Sequence, residues 1–297
     1  MKNGTYLNIL ISYAYCTSKA LQEMLISLTT KKKINMMIDS GAFTKFNAKG
    51  STSHITLEKY CDFLTVMAPY SEKYVMLDVI GNASESHKNY EVMLRHGLNP
   101  MYVVTMFDKD YDYMRWAASN NPNLCVAGGA TTKSDWMSAR YQTIYRESNE
   151  KALIHGLAYV TFPKMLQLPL ASVDSSSWKA GALRFGQFAY FDKGIKGFNS
   201  TDILKRGKKL TMPQIKALSE LGVTPQMFAQ EHFHRGNASI EALSAVKANV
   251  EMQKYCKRHG LNFFMAISNT QDLNKIVYVD ENIRDLSYEK FRKEFAK

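Results

Sequence analysis

Short apolar runs recur along this chain, and each ends in a carboxylate, a glycine or a histidine. The runs are Tyr6 to Tyr13, Ile34 to Ile38, Tyr74 to Leu77, Met101 to Phe107, Leu124 to Ala127, Ala152 to Ile154, and the segment ending at Asp174. Runs this short and this continuous suit strands buried on both faces, as in a parallel sheet. Between them lie segments with apolar residues at helical spacing: 17–31, 55–69, 84–97, 111–119 and 135–149. Thr56 is placed to cap the second of these, and Gly97 to end the third. Seven strand–helix alternations predict an α/β architecture of the (β/α)8 TIM-type barrel class. A doubly wound open sheet is the alternative, but it concentrates ligand contacts at one crossover. Here polar residues recur after almost every run.

The rhythm breaks after Trp178. Two apolar runs compete for the eighth strand, Phe185 to Phe191 and Asn262 to Ser268. Residues 193–210 are rich in Gly, Lys and Arg and read as an exposed loop centred on Lys205-Arg206-Gly207-Lys208-Lys209. Residues 213–221, 225–231 and 239–259 read as helices, and the charged, aromatic C-terminal residues as a surface helix. The expected division is a barrel over 1–195, and a basic loop with a mainly helical C-terminal part packed on it over 196–297.

The chain has 297 residues and a formal net charge of +11. Such an excess favours nucleic acid, an anionic surface or acidic ligands as partners. Cys16, Cys61, Cys125 and Cys256 are widely spaced, with no Cys-x-x-Cys and no Cys/His cluster. That pattern argues against a disulfide scaffold or structural zinc and suits a reducing cytoplasm. No run is long enough to span a membrane.

Aligned by strand end, the sequence offers Asp39, Asp78, Gly128-Gly129, His155 and Asp174, which a barrel would bring to one mouth. Three carboxylates round a pocket can divide nucleophilic attack, proton transfer and recognition of N–H groups. A Gly-Gly pair lets a flat ligand approach the backbone. Singly, each has a plainer reading: a turn aspartate, a loop glycine, a hydrogen-bonded core histidine.

Asp39-Ser40-Gly41-Ala42-Phe43 resembles the Asp-Ser-Gly-Gly-aromatic motif of the tRNA-guanine transglycosylases. Asp78 is similar to their substrate-binding aspartate, Val126-Ala127-Gly128-Gly129 to their base-reading loop, and Ile154-His155-Gly156 to the segment beneath their bound base. Ser172-Val173-Asp174 is similar to the strand end that bears their nucleophile. The family's zinc-binding Cys-x-Cys-x-x-Cys run is absent, its Gln-Gly-Gly is replaced by Thr105-Met106-Phe107, and its second motif glycine is Ala42. His155-Gly156-Leu157 with Ser172 to Trp178 looks most like the phage-type branch, DpdA, which places 7-deazaguanine bases in DNA.

The resemblance implies a DNA guanine transglycosylase that exchanges guanine for a 7-deazaguanine such as 7-cyano-7-deazaguanine through a covalent aspartyl–glycosyl intermediate. Asp174 would be the nucleophile and Asp39 the general acid and base. Ser40, Phe43, Asp78, Gly128, Gly129 and His155 would hold the base, with Phe43 and His155 stacking on it. Lys179, Arg184, Lys205, Arg206, Lys208 and Lys209 would follow the phosphate backbone. The implied partners are DNA, with tRNA as the alternative, and the deazapurine base. No metal or cofactor is called for, and the expected location is the cytoplasm (a host's, if phage-encoded). The competing readings are a zinc-less tRNA-guanine transglycosylase, an unrelated TIM-barrel enzyme acting on a small metabolite, and a catalytically silent nucleic-acid-binding protein.

Overall fold

The computed structural model describes residues 7–48, 54–105, 111–127, 134–179, 182, 186–204, 207, 209–230 and 238–296. The chain forms two compact units, one of Met1–Ser175 with Cys256–Thr270, the other of Ser176–Tyr255 with Gln271–Lys297.

The first unit is built on an eight-stranded sheet, with every pair of neighbouring strands parallel. Its strands are β1 (Leu7–Ser12), β2 (Ile34–Asp39), β3 (Lys73–Tyr74), β4 (Tyr102–Thr105), β5 (Asn123–Ala127), β6 (Leu153–Leu157), β7 (Ser172–Ser175) and β10 (Asn262–Ile267). The order is β3-β2-β1-β10-β7-β6-β5-β4, so β10 and β7 lie in the middle. Every residue of β1 is buried, as a strand covered on both faces requires. An isolated parallel bridge, outside the named strands, pairs Val75, just past β3, with Met101, just before β4. It is held by Met101 N–H to Tyr74 O (2.8 Å) and Met76 N–H to Met101 O (3.1 Å).

Helices α1 (Lys19–Thr30), α2 (Ala42–Asn47), α3 (Leu57–Met67), α4 (Ala83–Arg95), α5 (Tyr111–Asn120) and α6 (Ser134–Glu147) alternate with the strands. Local chemistry sets their ends. The Thr56 hydroxyl accepts from Lys59 N–H, capping α3, and Asn82 accepts from Glu85 N–H, capping α4. Gly97, at φ +74°, ends α4.

The second unit holds a hairpin of β8 (Gln187–Phe191) and β9 (Ile195–Asn199) and the helices Ser200–Leu204, Met212–Ser219, Pro225–Phe228, Ile240–Arg258, Thr270–Glu281 and Tyr288–Phe295. Phe188, Phe198 and Phe228 form an aromatic core with ring centroids 5.0 to 5.6 Å apart.

One open alternative is decided and one expectation needs correction. The eighth strand of the sheet is Asn262–Ile267; the run Phe185 to Phe191 instead supplies a strand of the hairpin. Residues 193–210 are not one exposed loop, because β9 and the helix Ser200–Leu204 fall within them. The compact units part at Ser175, and 256–270 belong with the first unit because β10 pairs with β1 and β7. Among the described residues, no helix is long and apolar enough to cross a membrane.

Candidate active site

Residues paired in parallel register point to the same face of a sheet, as do residues two apart on one strand. Those two rules collect the site. Asp39 pairs with Ser12, and Leu10, two residues back, pairs with Ala266. Phe264, two back again, pairs with Asp174. Ser172 pairs with His155, and His155 with Cys125. Asp39, Asp174, His155, Ser12, Ser172, Cys125 and Phe264 therefore share one face.

Asp174 is the most constrained of them. It is 5% exposed. Its Oδ1 accepts from Ala158 N–H (2.7 Å) and lies 3.3 Å from His155 Nε2. Among the described residues its Oδ2 has no hydrogen-bond partner. Ala158, just past β6, is left-handed at φ +54°. For a residue with a Cβ that conformation costs about 1 to 2 kcal/mol, and here it aims an N–H at the carboxylate.

His155 is fully buried. Its Nδ1 lies 2.8 Å from Ser172 Oγ, and its ring meets Phe264 edge-on at 6.2 Å. The ring presents no face to solvent, and its contacts are with Ser172, Asp174 and Phe264. Gly156 faces the other side of the sheet. A Cβ there would lie 2.9 Å from the hydroxyl of Tyr141, so packing against α6, not a ligand, excludes a side chain.

Asp39 closes β2 and keeps some contact with solvent although protein surrounds its carboxyl. Gly41 N–H donates to its Oδ2 at 3.0 Å. Gly41 is left-handed (φ +79°), and a Cβ on it would lie 2.9 Å from the Cβ of Ala14; only glycine fits this turn. Burial pushes the Asp39 carboxyl above its ordinary value. The Ser12 hydroxyl and Gly41 N–H pull it down, Asp174 pushes it up and His155 pulls it down; the net shift is upward. The Ser12 hydroxyl is itself buried and makes no well-formed hydrogen bond among the described residues. Turning towards Asp39 would satisfy it.

Asp78 lies four residues beyond Tyr74, partly buried. Its charge reaches the same centre. Burial raises the Cys125 thiol well above the ordinary value, and Asp174, Asp39 and Asp78 in that order raise it further. Ser40 is buried and accepts from Ala42 N–H at 3.3 Å. Phe43 is 61% exposed on α2, beside Phe46, equally exposed. Lys179 forms an ion pair with Asp272 and lies 5.4 Å from the ring of Trp178, so its ammonium has partners within its own unit. Lys209 is exposed. Gly128, Gly129, Arg184, Lys205, Arg206 and Lys208 lie outside the described residues.

Ser12, Ser172, Cys125 and Ala158 were not singled out from the sequence. Ser172 carried a usable signal, standing two residues before Asp174 on a strand; the left-handed Ala158 carried none. Among the described residues, no group of three or more His, Cys, Asp or Glu is placed to hold a metal ion. The cavities found along Phe188–Asp192 and Met212–Leu221, about 430 Å3, and beside Gln142–Arg146 contain none of the candidate residues. No family model matches the chain, and no curated protein matches it significantly.

Proposed function

We propose that the protein is a base-exchanging glycosyltransferase that replaces guanine in DNA with a 7-deazaguanine. We further propose that its sheet closes through the Val75–Met101 bridge into a (β/α)8 barrel with the site at its mouth. The carrying observation is the state of Asp174. One oxygen is held twice while the other has no partner among the described residues, on the same sheet face as a second carboxyl whose proton affinity is raised.

Asp174 Oδ2 attacks C1′ of the target nucleotide as the C1′–N9 bond breaks, through an oxocarbenium-like transition state. The bonding pair leaves with the base at N9, and protonated Asp39 gives it a proton. The products are free guanine, a C1′–Oδ2 ester and an Asp39 carboxylate. That carboxylate removes the N9 proton of an incoming deazapurine; N9 then attacks C1′ and Asp174 departs. Two displacements retain configuration at the sugar. The raised proton affinity of Asp39 suits a group that must carry a proton near neutral pH. Asp78 and the Gly128-Gly129 backbone read the base edge, and the exposed ring of Phe43 offers a stacking face. The target nucleotide leaves its stack at a cost of a few kcal/mol, offset in the pocket.

Radiolabelled guanine, offered with duplex DNA and separately with tRNA, tests this reading. The expected result is label entering DNA with the wild type and none with Asp174→Ala. Label entering tRNA alone would transfer the assignment to the tRNA branch. Absence of label from both would remove the enzyme assignment.

A further inference from the structure

We infer that Ser172 and His155 form a one-way hydrogen-bond relay that selects which oxygen of Asp174 reacts, with His155 in its neutral Nε2–H form. The inference rests on the glycosyltransferase reading for its consequence but not for its geometry. The contacts run in one line: Ser172 Oγ to His155 Nδ1 at 2.8 Å, His155 Nε2 to Asp174 Oδ1 at 3.3 Å.

A carboxylate only accepts, so the Nε2 side must donate if Asp174 is ionised. A single ring proton, on Nε2, is enough to serve that acceptor. It leaves Nδ1 as an acceptor, and the Ser172 hydroxyl can fill that role as donor. The groups on the same face, Asp39 and Cys125, supply no competing donor at hydrogen-bond distance to either ring nitrogen. A hydroxyl replaces the carboxylate or carbonyl that often orients such a histidine. It therefore fixes the tautomer without adding charge, and the anion stays concentrated on Asp174.

Ala158 N–H completes the arrangement. Two donors on Oδ1 hold the carboxyl plane and occupy that oxygen, which leaves the lone pairs of Oδ2 for C1′. His155 is thus a positioning residue that acts through Asp174. The resemblance implied a role against the base itself; the contacts of the buried ring are instead with Ser172 and Asp174.

Nitrogen-15 NMR of the full chain labelled at histidine reads the relay directly, with His155→Gln used to assign the resonance. The expected result at pH 7.5 is a single Nε2–H tautomer for His155, kept in Ser172→Thr and lost to a mixture in Ser172→Ala. A doubly protonated or Nδ1–H ring in the wild type would overturn the inference, whatever the protein catalyses. Kinetics then test the consequence. Gln can place an N–H near the Nε2 position, whereas Phe keeps the volume and donates nothing. His155→Phe should lower kcat for base exchange by about 10- to 100-fold, the scale found for orienting partners. KM for nucleic acid should stay within about 2-fold, because the lost contact touches only the nucleophile. His155→Gln should recover most of the loss. If Phe and Gln lose activity equally, in proportion to lost thermal stability, the residue is merely structural and the inference fails. If the wild type exchanges no base, the function reading fails while the tautomer still decides the relay.

Discussion

Asp39 shows how a residue can serve chemistry at the expense of the fold. Burial raises its carboxyl above the ordinary value, with Asp174 adding to the effect, so the folded chain holds that proton more tightly than the unfolded chain does. Stability therefore falls as pH rises from the ordinary carboxylate value through the raised one, and the loss is complete above it. Asp39→Asn abolishes this ionisation. The variant should melt higher than the wild type at pH 8, and the difference should vanish below about pH 4, where the unfolded-state carboxyl is also protonated. Base exchange should drop by about 10^2- to 10^4-fold, the range for loss of a general acid. Thermal melts across pH and the exchange assay check the two halves; a variant no more stable at pH 8 would mean Asp39 carries no buried-charge penalty. Asp39 and Asp174 were legible because a carboxylate ending an apolar run marks a strand end. The role of His155 was not, since a histidine's partners depend on which face it takes and on a serine seventeen residues away. Neighbours on a strand face opposite ways, so His155 and Gly156 lie on opposite faces of the sheet.

At the scale of elements, the junction of β6 with α6 yields a prediction that needs both partners. Tyr141 is fully buried, its hydroxyl has no hydrogen-bond partner among the described residues, and the space it fills is the one a Gly156 side chain would occupy. An unpaired buried hydroxyl carries a desolvation cost of about 1 to 3 kcal/mol. Tyr141→Phe alone should thus be neutral or stabilising, whereas Gly156→Ala alone should destabilise by about 1 to 3 kcal/mol through overpacking. Together they should be far less harmful than their sum, since the next ring atom of Tyr141 stands 3.4 Å from the added Cβ. A denaturant double-mutant cycle measures this coupling, and simple additivity would refute the packing account. Elements of this kind were largely visible in the sequence: α1, α3, α4, α5 and α6 lie within two residues of their expected bounds. The eighth strand was not decided there, although the two candidates differ physically. Asn262–Ile267 is continuously apolar after its first residue, as a central parallel strand requires, and four of its six residues are buried. Gln187–Phe191 buries only Phe188, the pattern of a hairpin open on one side.

For the whole molecule, the question is where a net charge of +11 is presented. Sequence counts every lysine alike, but the structure withdraws some of them. Lys179 is paired with Asp272, Lys196 with Asp192 at 2.6 Å, and Lys247 with Glu220 and Glu251 at 2.9 and 2.6 Å. A cation held by a carboxylate must exchange that partner to bind phosphate, so these residues are weak candidates for a nucleic-acid track. The basic centre Lys205, Arg206, Lys208 and Lys209 is left as the strongest sequence candidate, with Lys209 exposed. Each phosphate contact contributes about 0.9 to the slope of log affinity against log salt on duplex DNA. Reversing all four to glutamate should reduce that slope by up to about 3 to 4 and weaken DNA binding most at low salt. Binding of the free deazapurine base should be unchanged, because the proposed reading assigns the base contacts to the strand-end residues and not to this segment. Fluorescence anisotropy over a salt series, beside calorimetry with the free base, separates the outcomes. An unchanged slope would make the segment a solvated loop and send the search for the phosphate track elsewhere. A lowered affinity for the base itself would mean that the four residues act on the site rather than on the nucleic-acid backbone.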